Sequence, residues 1–562
     1  MSMLKIKIAA PAGFGIMSMG PLLAKVLKRY GFYVMGYPEY PSLIRGGYNS
    51  YLLMISDEPV YSPYEKTDIL LTYSKLSFDK EDLKSDTIVI ADFEKLRVDK
   101  SNLNCKVYDI PFAKTVKEEG LPDIVQNIIG IAYLCKGMGI DISVLKEVLK
   151  GALSDKVLEV NYKAAECGYR LCTEHFVNVE WEKRDLNEHI IMTGNEVAAT
   201  SAITAGVNFY STYPMTPAST VLHFLAKYAK DYNIIVKHTE DEIAGITMAI
   251  GAAYAGARAM TGTSGGGFSL MVEGLGLAAI TETPLVLFIS QRPGPATGMP
   301  TWQEQADLRF VLHASQDEFV RAVFTPGDLK ELFYAVFDAF NIAEKYQIPV
   351  FVLSDKYLSE SIFMEDGFKT EGLKIDRGYI FEGDKSDPMN LFPRYKEYKD
   401  GIPKRAFPGT PGGIHKTPSN EHDEYGFVSD DAFIRKEQQE RRFRKLENLV
   451  KEMPTPLLYG DETADITFVS WGSTKTVLFE AMKYEKNFNF IHFPSIYPID
   501  WKSTKGLLET RKKLILIENN FTGQLGGIIA ENTGVFIEDK FLKYDGRPFF
   551  VEEVLNILKR VS

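Results

Sequence analysis

The sequence predicts a multi-domain α/β protein with three parallel-sheet modules, and three observations carry this prediction. With 562 residues the chain is too long for a single hydrophobic core. Apolar runs of strand length alternate with helical runs in three blocks, which is typical of parallel sheets covered by helices. Polar stretches separate the blocks, so we place three modules at 1–178, 185–370 and 456–562, with a charged connector at 371–455.

Composition and charge exclude several classes of function. The net charge is -11 and no run of lysine or arginine follows an aromatic stripe, so nucleic acid is not an expected partner. No apolar segment has the length of a membrane span, so no membrane association is expected. The four cysteines lack the spacing of a zinc or iron–sulfur site. We therefore expect no metal on this chain and a reducing, cytoplasmic location.

The first module opens with a strand at 4–10 and a glycine-rich turn at 13–20 that begins a helix. Further strands are predicted at 48–55, 69–72 and 87–90. Glycines after a first strand let backbone amides approach a phosphate at a helix N-terminus. A dinucleotide site is the weaker interpretation, because Ser18 stands where a glycine is required and because Glu39 lies between prolines, where continuation of a strand is implausible.

The second module repeats this pattern, with strands predicted at 207–210, 234–237, 258–262 and 285–290. A turn, Tyr-Pro-Met-Thr-Pro at 213–217, follows the first of these strands. Because proline fixes φ at both ends, the turn can hold the Thr216 hydroxyl and nearby amides for an anionic ligand. The alternative is a proline-capped helix start, which the turn alone favours.

A second motif, Thr-Glu-Asp-Glu at 239–242, heads a helix rich in small residues. Thr239 and Glu242 have the spacing of a capping box, which would explain both without any function. The small residues favour a functional interpretation, because they permit close approach from both sides of the helix. Two glycine-rich segments follow, at 264–267 and 292–302; the first either binds an anion through its amides or packs helix on sheet.

In this order the motifs resemble those of the alpha subunits of 2-oxoacid:ferredoxin oxidoreductases. They are the motifs at 213–217 and 239–242, Thr-Ser-Gly-Gly-Gly at 263–267, Gly-Pro-Ala-Thr-Gly-Met-Pro-Thr at 294–301 and Gln-Ala-Asp-Leu at 305–308. The first module, with Arg-Gly-Gly at 45–47, resembles the gamma module of the same family fused in front of alpha. The two later modules then resemble the pyrimidine-binding and C-terminal domains of transketolase-like enzymes.

The resemblance implies oxidative decarboxylation of a 2-oxoacid to an acyl-CoA, with coenzyme A as cosubstrate and ferredoxin as electron acceptor. Thiamine diphosphate would be shared with a beta subunit, because this chain has no Gly-Asp-Gly motif to hold Mg²⁺ and diphosphate: Gly383 and Gly460 precede an aspartate, but the second glycine is missing. Mg²⁺ and an iron–sulfur cluster are therefore expected on the partner. The family expectation for the assembly is a pair of alpha–beta heterodimers.

The resemblance also assigns site residues. Glu242 is expected to contact the aminopyrimidine ring, where a carboxylate hydrogen-bonded to a ring nitrogen promotes activation of the cofactor. Thr216 is expected to bind the substrate carboxylate, and these two are the expected catalytic residues. The other substrate-binding candidates are Tyr213, Pro217, Arg292, Thr297, Gly298, Thr301 and Trp302. The other cofactor-binding candidates are Arg45, Gly46, Ser264 and Gly265.

Trp302 departs from the pattern of many relatives that accept 2-oxoglutarate. Those relatives carry arginine or lysine at this place, where a cation can pair with the second carboxylate, whereas an indole cannot. Arg292 or Arg309 could substitute, so 2-oxoglutarate and bulky or aromatic 2-oxoacids all stay open.

The remaining segments carry weaker signals. In the connector, Glu-His-Asp at 421–423 is expected to form a capped turn rather than a metal site. In the last module, Gly-Ser-Thr at 472–474 follows a strand and either caps a helix or cradles an anion. For the whole chain, two alternatives stay open: another thiamine-dependent transferase, or a non-catalytic scaffold for an active beta subunit.

Overall fold

The computed structural model describes residues 3–43, 46–177 and 181–561. Its strands form three large sheets with helices packed against them, and one small two-stranded ribbon. The predicted α/β class is therefore confirmed. Within the described residues, no helix combines the length and the apolar character needed to span a membrane.

The elements of the first segment are β1 (Met3–Ala12), α1 (Ile16–Tyr30), β2 (Tyr33–Glu39), β3 (Gly46–Ser56), β4 (Ile69–Thr72), α2 (Ser77–Lys80), β5 (Ile88–Ala91), α3 (Phe93–Leu96), β6 (Lys106–Asp109), α4 (Phe112–Glu118), α5 (Gln126–Gly137), α6 (Ile142–Ala152) and α7 (Asp155–Leu171).

The elements of the second segment are β7 (Ile190–Thr193), α8 (Gly194–Thr204), β8 (Phe209–Thr212), α9 (Ser219–Tyr228), β9 (Ile235–His238), α10 (Glu242–Tyr254), β10 (Ala259–Thr263), α11 (Gly265–Ile280), β11 (Leu285–Gln291), α12 (Leu308–His313), β12 (Ala322–Phe324), α13 (Leu329–Tyr346), β13 (Pro349–Asp355), α14 (Lys356–Glu360) and β14 (Ile362–Glu365).

The remaining elements are β15 (Glu397–Lys399), β16 (Ile402–Pro403), α15 (Ala432–Arg444), α16 (Leu446–Glu452), β17 (Leu457–Gly460), β18 (Ile466–Trp471), α17 (Thr474–Ala481), β19 (Phe488–Phe493), β20 (Ser495–Tyr497), α18 (Trp501–Glu509), β21 (Lys513–Glu518), α19 (Gln524–Thr533), β22 (Asp539–Leu542) and α20 (Val551–Val561).

The first sheet has the order β6-β5-β4-β1-β3-β2-β14-β7. Strands β1, β4, β5 and β6 are parallel, whereas β3 is antiparallel to both β1 and β2. Two of its strands, β7 and β14, come from beyond residue 185, so the first and second segments share this sheet. The boundaries drawn from the sequence stay predictions.

One local expectation for the first sheet is wrong. Strand β2 continues through Pro38 to Glu39, where the sequence made continuation implausible. Both residues pair with β3, opposite Tyr51 and Ser50. On its other side β2 pairs with β14 only at Gly36. No strand therefore requires a hydrogen bond from the backbone of residue 38 on that side, and a proline is tolerated there.

The second and third sheets are the parallel layers that the sequence predicts. The second has the order β20-β12-β13-β11-β10-β8-β9 and the third β17-β19-β18-β21-β22, each with one antiparallel edge strand, β20 and β17. Central strand β11 is buried at every residue, as expected for a strand covered on both faces. The strand after residue 494 joins the second sheet and ties the last module to it.

The connector wraps around the second segment. Its Glu-His-Asp run forms the predicted capped turn: Asp423 Oδ1 accepts hydrogen bonds from the backbone N–H groups of Tyr425 and Phe427, each at 2.9 Å. Glu421 pairs instead with Arg435 and Arg442. The run therefore holds the connector's own fold in place.

Candidate functional site

A cleft of about 440 Å³ lies at the carboxyl ends of the strands of the second sheet. This edge is where parallel sheets place their ligands. The residues that line the cleft come from the turn after β8, the start of α11, the loop after β11 and the start of α12. They are Met215, Gly265, Gly266, Ser269, Arg292, Pro293, Gly294, Pro295, Ala296, Thr297, Asp307 and Phe310.

Helix α10 begins beside this cleft, and its cap differs from the capping box that was one interpretation of the sequence. The N-cap residue is Asp241, whose Oδ1 accepts a hydrogen bond from the Ala244 N–H at 2.8 Å. Thr239 donates its hydroxyl to the Asp241 carbonyl at 2.8 Å, so the capping-box alternative for Thr239 and Glu242 does not hold. Because Asp241 caps the helix, the Glu242 side chain is left free for another task.

Glu242 is only 3% exposed, and its Oε1 has no hydrogen-bond partner among the described residues. The start of α11 is shaped around it: a Cβ on Gly267 would lie 2.7 Å from Glu242 Oε1 and 2.1 Å from Thr263 Oγ1. Burial raises the pKa of Glu242, an effect that the Arg292 guanidinium partly offsets. Burial favours the protonated form of such a carboxyl group, and a hydrogen bond to a ligand would stabilise it.

The turn at 213–217 packs against the cleft from the opposite side. The carbonyl of Thr216 accepts a hydrogen bond from Arg292 Nη1 at 2.6 Å, which ties the turn to the end of β11. Pro217 is buried, and its carbonyl accepts a bond from the buried Asn195 side chain at 2.7 Å. Tyr213 is 38% exposed at the entrance. Sequence analysis did not single out Asn195, since an amide on the preceding helix carries no local signal.

Arg292 and Asp307 are groups of opposite charge that both line the cleft. Arg292 Nε and Asp307 Oδ2 are buried without a partner within the part of the chain that the structure describes. Burial raises the pKa of Asp307 to about 6, with Arg292 opposing this rise. Glycine is required at 265, because a Cβ there would lie 2.3 Å from Asp307 Oδ2. Asp307 lay inside a recognised motif but was not named as a site residue.

Only the first part of the loop after Arg292 lines the cleft. Thr297 lines it, and Gly298 holds the loop's tight bend, where φ is 53° and a Cβ would meet the Pro293 carbonyl at 1.9 Å. Thr301 is buried and donates its hydroxyl to the Tyr40 carbonyl at 2.5 Å, toward the first sheet. Thr301 and Trp302 are therefore not among the residues that line the cleft.

The cations near Trp302 differ from those that the sequence suggested. Arg309 pairs with Glu531 on α19 at 2.5 Å, away from Trp302. Arg547, from the loop before α20, instead places its guanidinium 3.4 Å from the centre of the Trp302 ring. Its ion pair with Glu39 is loose, at 3.4 Å. Some 245 residues separate Arg547 from Trp302, so only the fold brings them together.

The cofactor-binding candidates fall into two places. Ser264 and Gly265 lie at the start of α11, where the buried Ser264 Oγ has no partner among the described residues. Gly46 pairs with Ala12 in the first sheet, and Arg45 lies outside the described residues. Beside that pair is a second cleft, of about 310 Å³. It is lined by Pro11, Ala12, Gly13, Gly15, Ile16, Met17, Tyr40 and Asn49.

At the motif at 472–474, a carboxylate of the same chain takes the position where an external anion could bind. The Asp355 carboxylate accepts hydrogen bonds from the Ser473 hydroxyl at 2.6 Å and, more weakly, from the Ser473 N–H at 3.4 Å. Gln305 Nε2 donates to the same carboxylate oxygen at 2.8 Å. The anion at the start of α17 is therefore a side chain of this chain, which joins the second and third sheets.

Comparison with known proteins places these clefts in a family. Residues 200–440 match the thiamine-diphosphate-binding domain of pyruvate flavodoxin/ferredoxin oxidoreductases, and residues 5–171 match a second pyruvate ferredoxin/flavodoxin oxidoreductase domain. The 2-oxoacid:ferredoxin oxidoreductase subunit alpha of a Sulfolobus species is 32% identical over 99% of this chain and 96% of its own. The 2-oxoglutarate synthase subunit KorA of Archaeoglobus fulgidus is 45% identical, over 29% of this chain and 47% of its own.

A solved structure agrees over the whole chain. The 2-oxoglutarate:ferredoxin oxidoreductase from Magnetococcus marinus, with 2-oxoglutarate, coenzyme A and succinyl-CoA bound, superposes with a TM-score of 0.90. It is 30% identical in sequence, and the match covers 100% of this chain and 99% of that one.

Proposed function

The chain belongs to the 2-oxoacid:ferredoxin oxidoreductases as an alpha subunit carrying its own gamma-type module, and from this we propose how its two clefts divide the reaction. The cleft of the second sheet would receive thiamine diphosphate and the 2-oxoacid. The cleft of the first sheet would receive part of coenzyme A. A beta subunit would complete the active site.

The observation that carries the first assignment is a cluster of buried polar atoms, in and beside one cleft, that have no partner among the residues the structure describes. They are Glu242 Oε1, Ser264 Oγ, Arg292 Nε and Asp307 Oδ2. Buried polar atoms are usually hydrogen-bonded, so a cluster of exceptions favours a site that a ligand completes. Gly267, which leaves room for the Glu242 carboxyl group, fits the same interpretation.

These residues fit an aminopyrimidine ring. Glu242 would hold a proton at its Oε1 and share it with a ring nitrogen, which its raised pKa favours. When bound, thiamine diphosphate supplies the electron sink that decarboxylation of a 2-oxoacid requires. Near the start of α11, the buried residues Ser264, Gly267 and Phe268 would exclude water from this proton and orient the ring.

Arg292 and the turn at 213–217 would bind the 2-oxoacid carboxylate. Arg292 already fixes the turn through the Thr216 carbonyl, so the guanidinium and the turn that carries Thr216 are held together. A charged hydrogen bond of this kind orients an anion as well as attracting it. Tyr213 and Pro217 would shape the entrance, and Thr297 and Gly298 the far wall, while Thr301 would hold the loop.

The glycine-rich turn before α1 would bind a phosphate group of coenzyme A. Gly13 and Gly15 have φ values of 90° and 83°, and helix α1 begins directly after them with no side-chain cap. Uncapped N–H groups at the start of a 15-residue helix form a favourable site for phosphate. Gly46, and Arg45 beside it, would lie along the same cofactor.

The partner subunit follows from what this chain does not carry. The sequence has no Gly-Asp-Gly motif, and within the described residues no group of three or more histidine, cysteine, aspartate or glutamate side chains is arranged to hold a metal. A beta subunit would therefore supply Mg²⁺ and the iron–sulfur cluster and would pass electrons to ferredoxin. We propose an assembly of two alpha–beta pairs, in the cytoplasm, where the four free cysteines would stay reduced.

The substrate would be 2-oxoglutarate or another 2-oxoacid. The test is reduction of a low-potential viologen dye by the native complex isolated on this chain, with and without coenzyme A. Pyruvate, 2-oxoglutarate, branched-chain and aromatic 2-oxoacids are compared. We expect coenzyme A-dependent reduction with at least one class; a complex that contains thiamine diphosphate and clusters but reduces the dye with none of them would contradict the proposal.

A further inference from the structure

Asp307 occupies the N-cap position of α12 but does not act as a cap. Its carboxylate accepts no hydrogen bond from the helix N–H groups, which is the usual reason for an aspartate at this position. Oδ2 is instead buried in the wall of the cleft without a partner among the described residues. The ordinary structural explanation for this residue therefore fails.

The position of Asp307 is held from two sides. Its backbone N–H donates to Gln291 Oε1 at 2.9 Å, at the end of β11. The third sheet's loops hold the preceding segment: Gln305 N–H donates to the Asn519 carbonyl at 2.7 Å, and Gln524 Nε2 donates to the Ala306 carbonyl at 2.6 Å. The last module therefore fixes where this carboxylate lies.

The charges around Asp307 come from three elements. Arg292, at the end of β11, is the cation, and it has no ion pair within 4.0 Å in the part of the chain that the structure describes. Glu304, on the segment before α12, adds a second carboxyl group, and its pKa is raised to about 7 by burial and by Asp307. Glu242, on α10, also acts on Arg292. The facing start of α11 contributes only Gly265, Gly266 and Ser269, which carry no charge.

The Arg292 guanidinium thus interacts electrostatically with two carboxyl groups, those of Asp307 and Glu242, and a 2-oxoacid brings a third. We propose that Asp307 is a positioning residue that competes with the substrate carboxylate for Arg292, so that binding of the 2-oxoacid is coupled to uptake of one proton by Asp307. This inference rests on the proposed function, since it requires Arg292 to bind the substrate. The proton comes from solvent and returns there when the carboxylate leaves.

In the absence of substrate, the pKa of Asp307 already lies in the range where it can take up a proton. Burial already raises the pKa of Asp307 to about 6, and a bound anion that draws on Arg292 raises it further. Between the free and the bound pKa, the KM for the 2-oxoacid rises with pH by up to about tenfold per unit, because each binding event needs a proton. The kcat follows the cofactor and changes little through Asp307.

The test measures KM and kcat of the alpha–beta complex for its best 2-oxoacid between pH 6 and 8.5. Three forms are compared: wild type, Asp307→Asn, and Glu304→Gln as the matched control from the same segment. We expect the KM of wild type and of Glu304→Gln to rise with pH. The KM of Asp307→Asn should stay flat and lie about tenfold or more below wild type at pH 8.

The outcomes separate the claims. A KM that rises with pH in Asp307→Asn as steeply as in wild type overturns the role of Asp307, and so does a fall in kcat at every pH with the slope unchanged. A wild-type complex that turns over no 2-oxoacid overturns the proposed function and this inference with it. If Asp307→Asn does not assemble, calorimetric titration of the wild-type complex with the unreactive analogue oxamate, in two buffers of different ionisation enthalpy, should show uptake of about one proton at pH 7.5; none would refute the coupling.

Discussion

The helix pair α10 and α11 buries a glutamate at each end, in opposite electrostatic surroundings. Glu242, at the cleft, is 3% exposed and forms no ion pair with any residue that the structure describes, and burial raises its pKa. Glu282, just past the end of α11, is 1% exposed and is bound by Arg441 and by Lys445, the latter at 2.5 Å. There the cations outweigh burial and hold the pKa of Glu282 well below its usual range.

This contrast separates the residue proposed to take part in the chemistry from a residue that stabilises the fold. Both cations on Glu282 come from the connector, and a second buried glutamate, Glu344 on α13, is bound in the same way. The three arginines around Glu344 are Arg258, Arg377 and Arg405. Buried charges that are fully paired indicate a structural role, whereas a buried, unpaired carboxyl group in a cleft indicates a ligand-binding role.

The largest effect is expected from Glu242→Gln. Glutamine keeps the shape of the side chain but cannot exchange a proton with an aminopyrimidine ring, so kcat in coenzyme A-dependent dye reduction should fall by about 100-fold or more. Binding of the beta subunit and the folding of the chain should not change. Normal turnover by this variant would support the alternative of a non-catalytic scaffold.

The same substitution at the other glutamate, Glu282→Gln, should lower the stability of the fold without a direct effect on catalysis. It leaves two buried cations without their carboxylate, which costs about 3–5 kcal/mol of the free energy of unfolding. Denaturant unfolding measures this loss, with exposed Glu371→Gln in the connector as the control. The contrast between the two glutamates would be broken if Glu282→Gln were as stable as that control.

A smaller effect is expected from Gly267→Ala, which fills the space beside Glu242. The new Cβ would lie 2.1 Å from Thr263 Oγ1, and overpacking of this kind costs about 1–3 kcal/mol. We expect weaker binding of thiamine diphosphate, measured by fluorescence titration of the complex. The control is Gly251→Ala on α10, where a Cβ meets nothing within 4 Å; equal effects of the two substitutions would contradict a shaped pocket.

The smallest effect concerns Arg547, a cation that, unlike Arg441 and Lys445, is not held in a close, buried ion pair. Arg547 lies over Trp302 with a third of its side chain exposed, and we propose that it attracts the second carboxylate of a longer substrate, which the indole cannot. In Arg547→Ala, the KM for 2-oxoglutarate should rise up to about tenfold while that for pyruvate stays constant. Arg309→Ala is the matched control; a change for both substrates alike would argue against selectivity.

The sequence predicted the α/β class and several strands closely, because a run buried on both faces is almost wholly apolar. Strands β4 and β11, predicted at 69–72 and 285–290, have such runs. It could not predict that β14 and β7 complete the first sheet, since sheet order depends on contacts between distant segments. It also did not identify the cap of α10: Thr239 was only one alternative, and Asp241 offers a carboxylate in better position for the helix N–H groups.

The candidate site was predictable where short motifs concentrate it and not where tertiary structure builds it. Glu242, Ser264 and Arg292 each follow a strand and are brought to one edge of the sheet, as local pattern indicated. Arg547 reaches Trp302 only through the packing of the last module against the second sheet. The unpartnered carboxylate of Asp307 is visible only once its neighbours are in place.

The measurement that tests the central claim most directly is the thermal unfolding midpoint of the full-length chain, as wild type, Glu242→Gln and Glu282→Gln, between pH 4 and 8. The lowered pKa of Glu282 stabilises the fold above the unfolded value of about 4.3, and this stability is lost as pH falls toward the folded pKa. The raised pKa of Glu242 destabilises the fold as pH rises from about 4.3 through its folded value. We therefore predict that at pH 7 Glu282→Gln melts below wild type and Glu242→Gln at or above it, with the latter difference vanishing near pH 4. Two variants that both melt well below wild type at pH 7 would contradict the division between a catalytic and a structural glutamate.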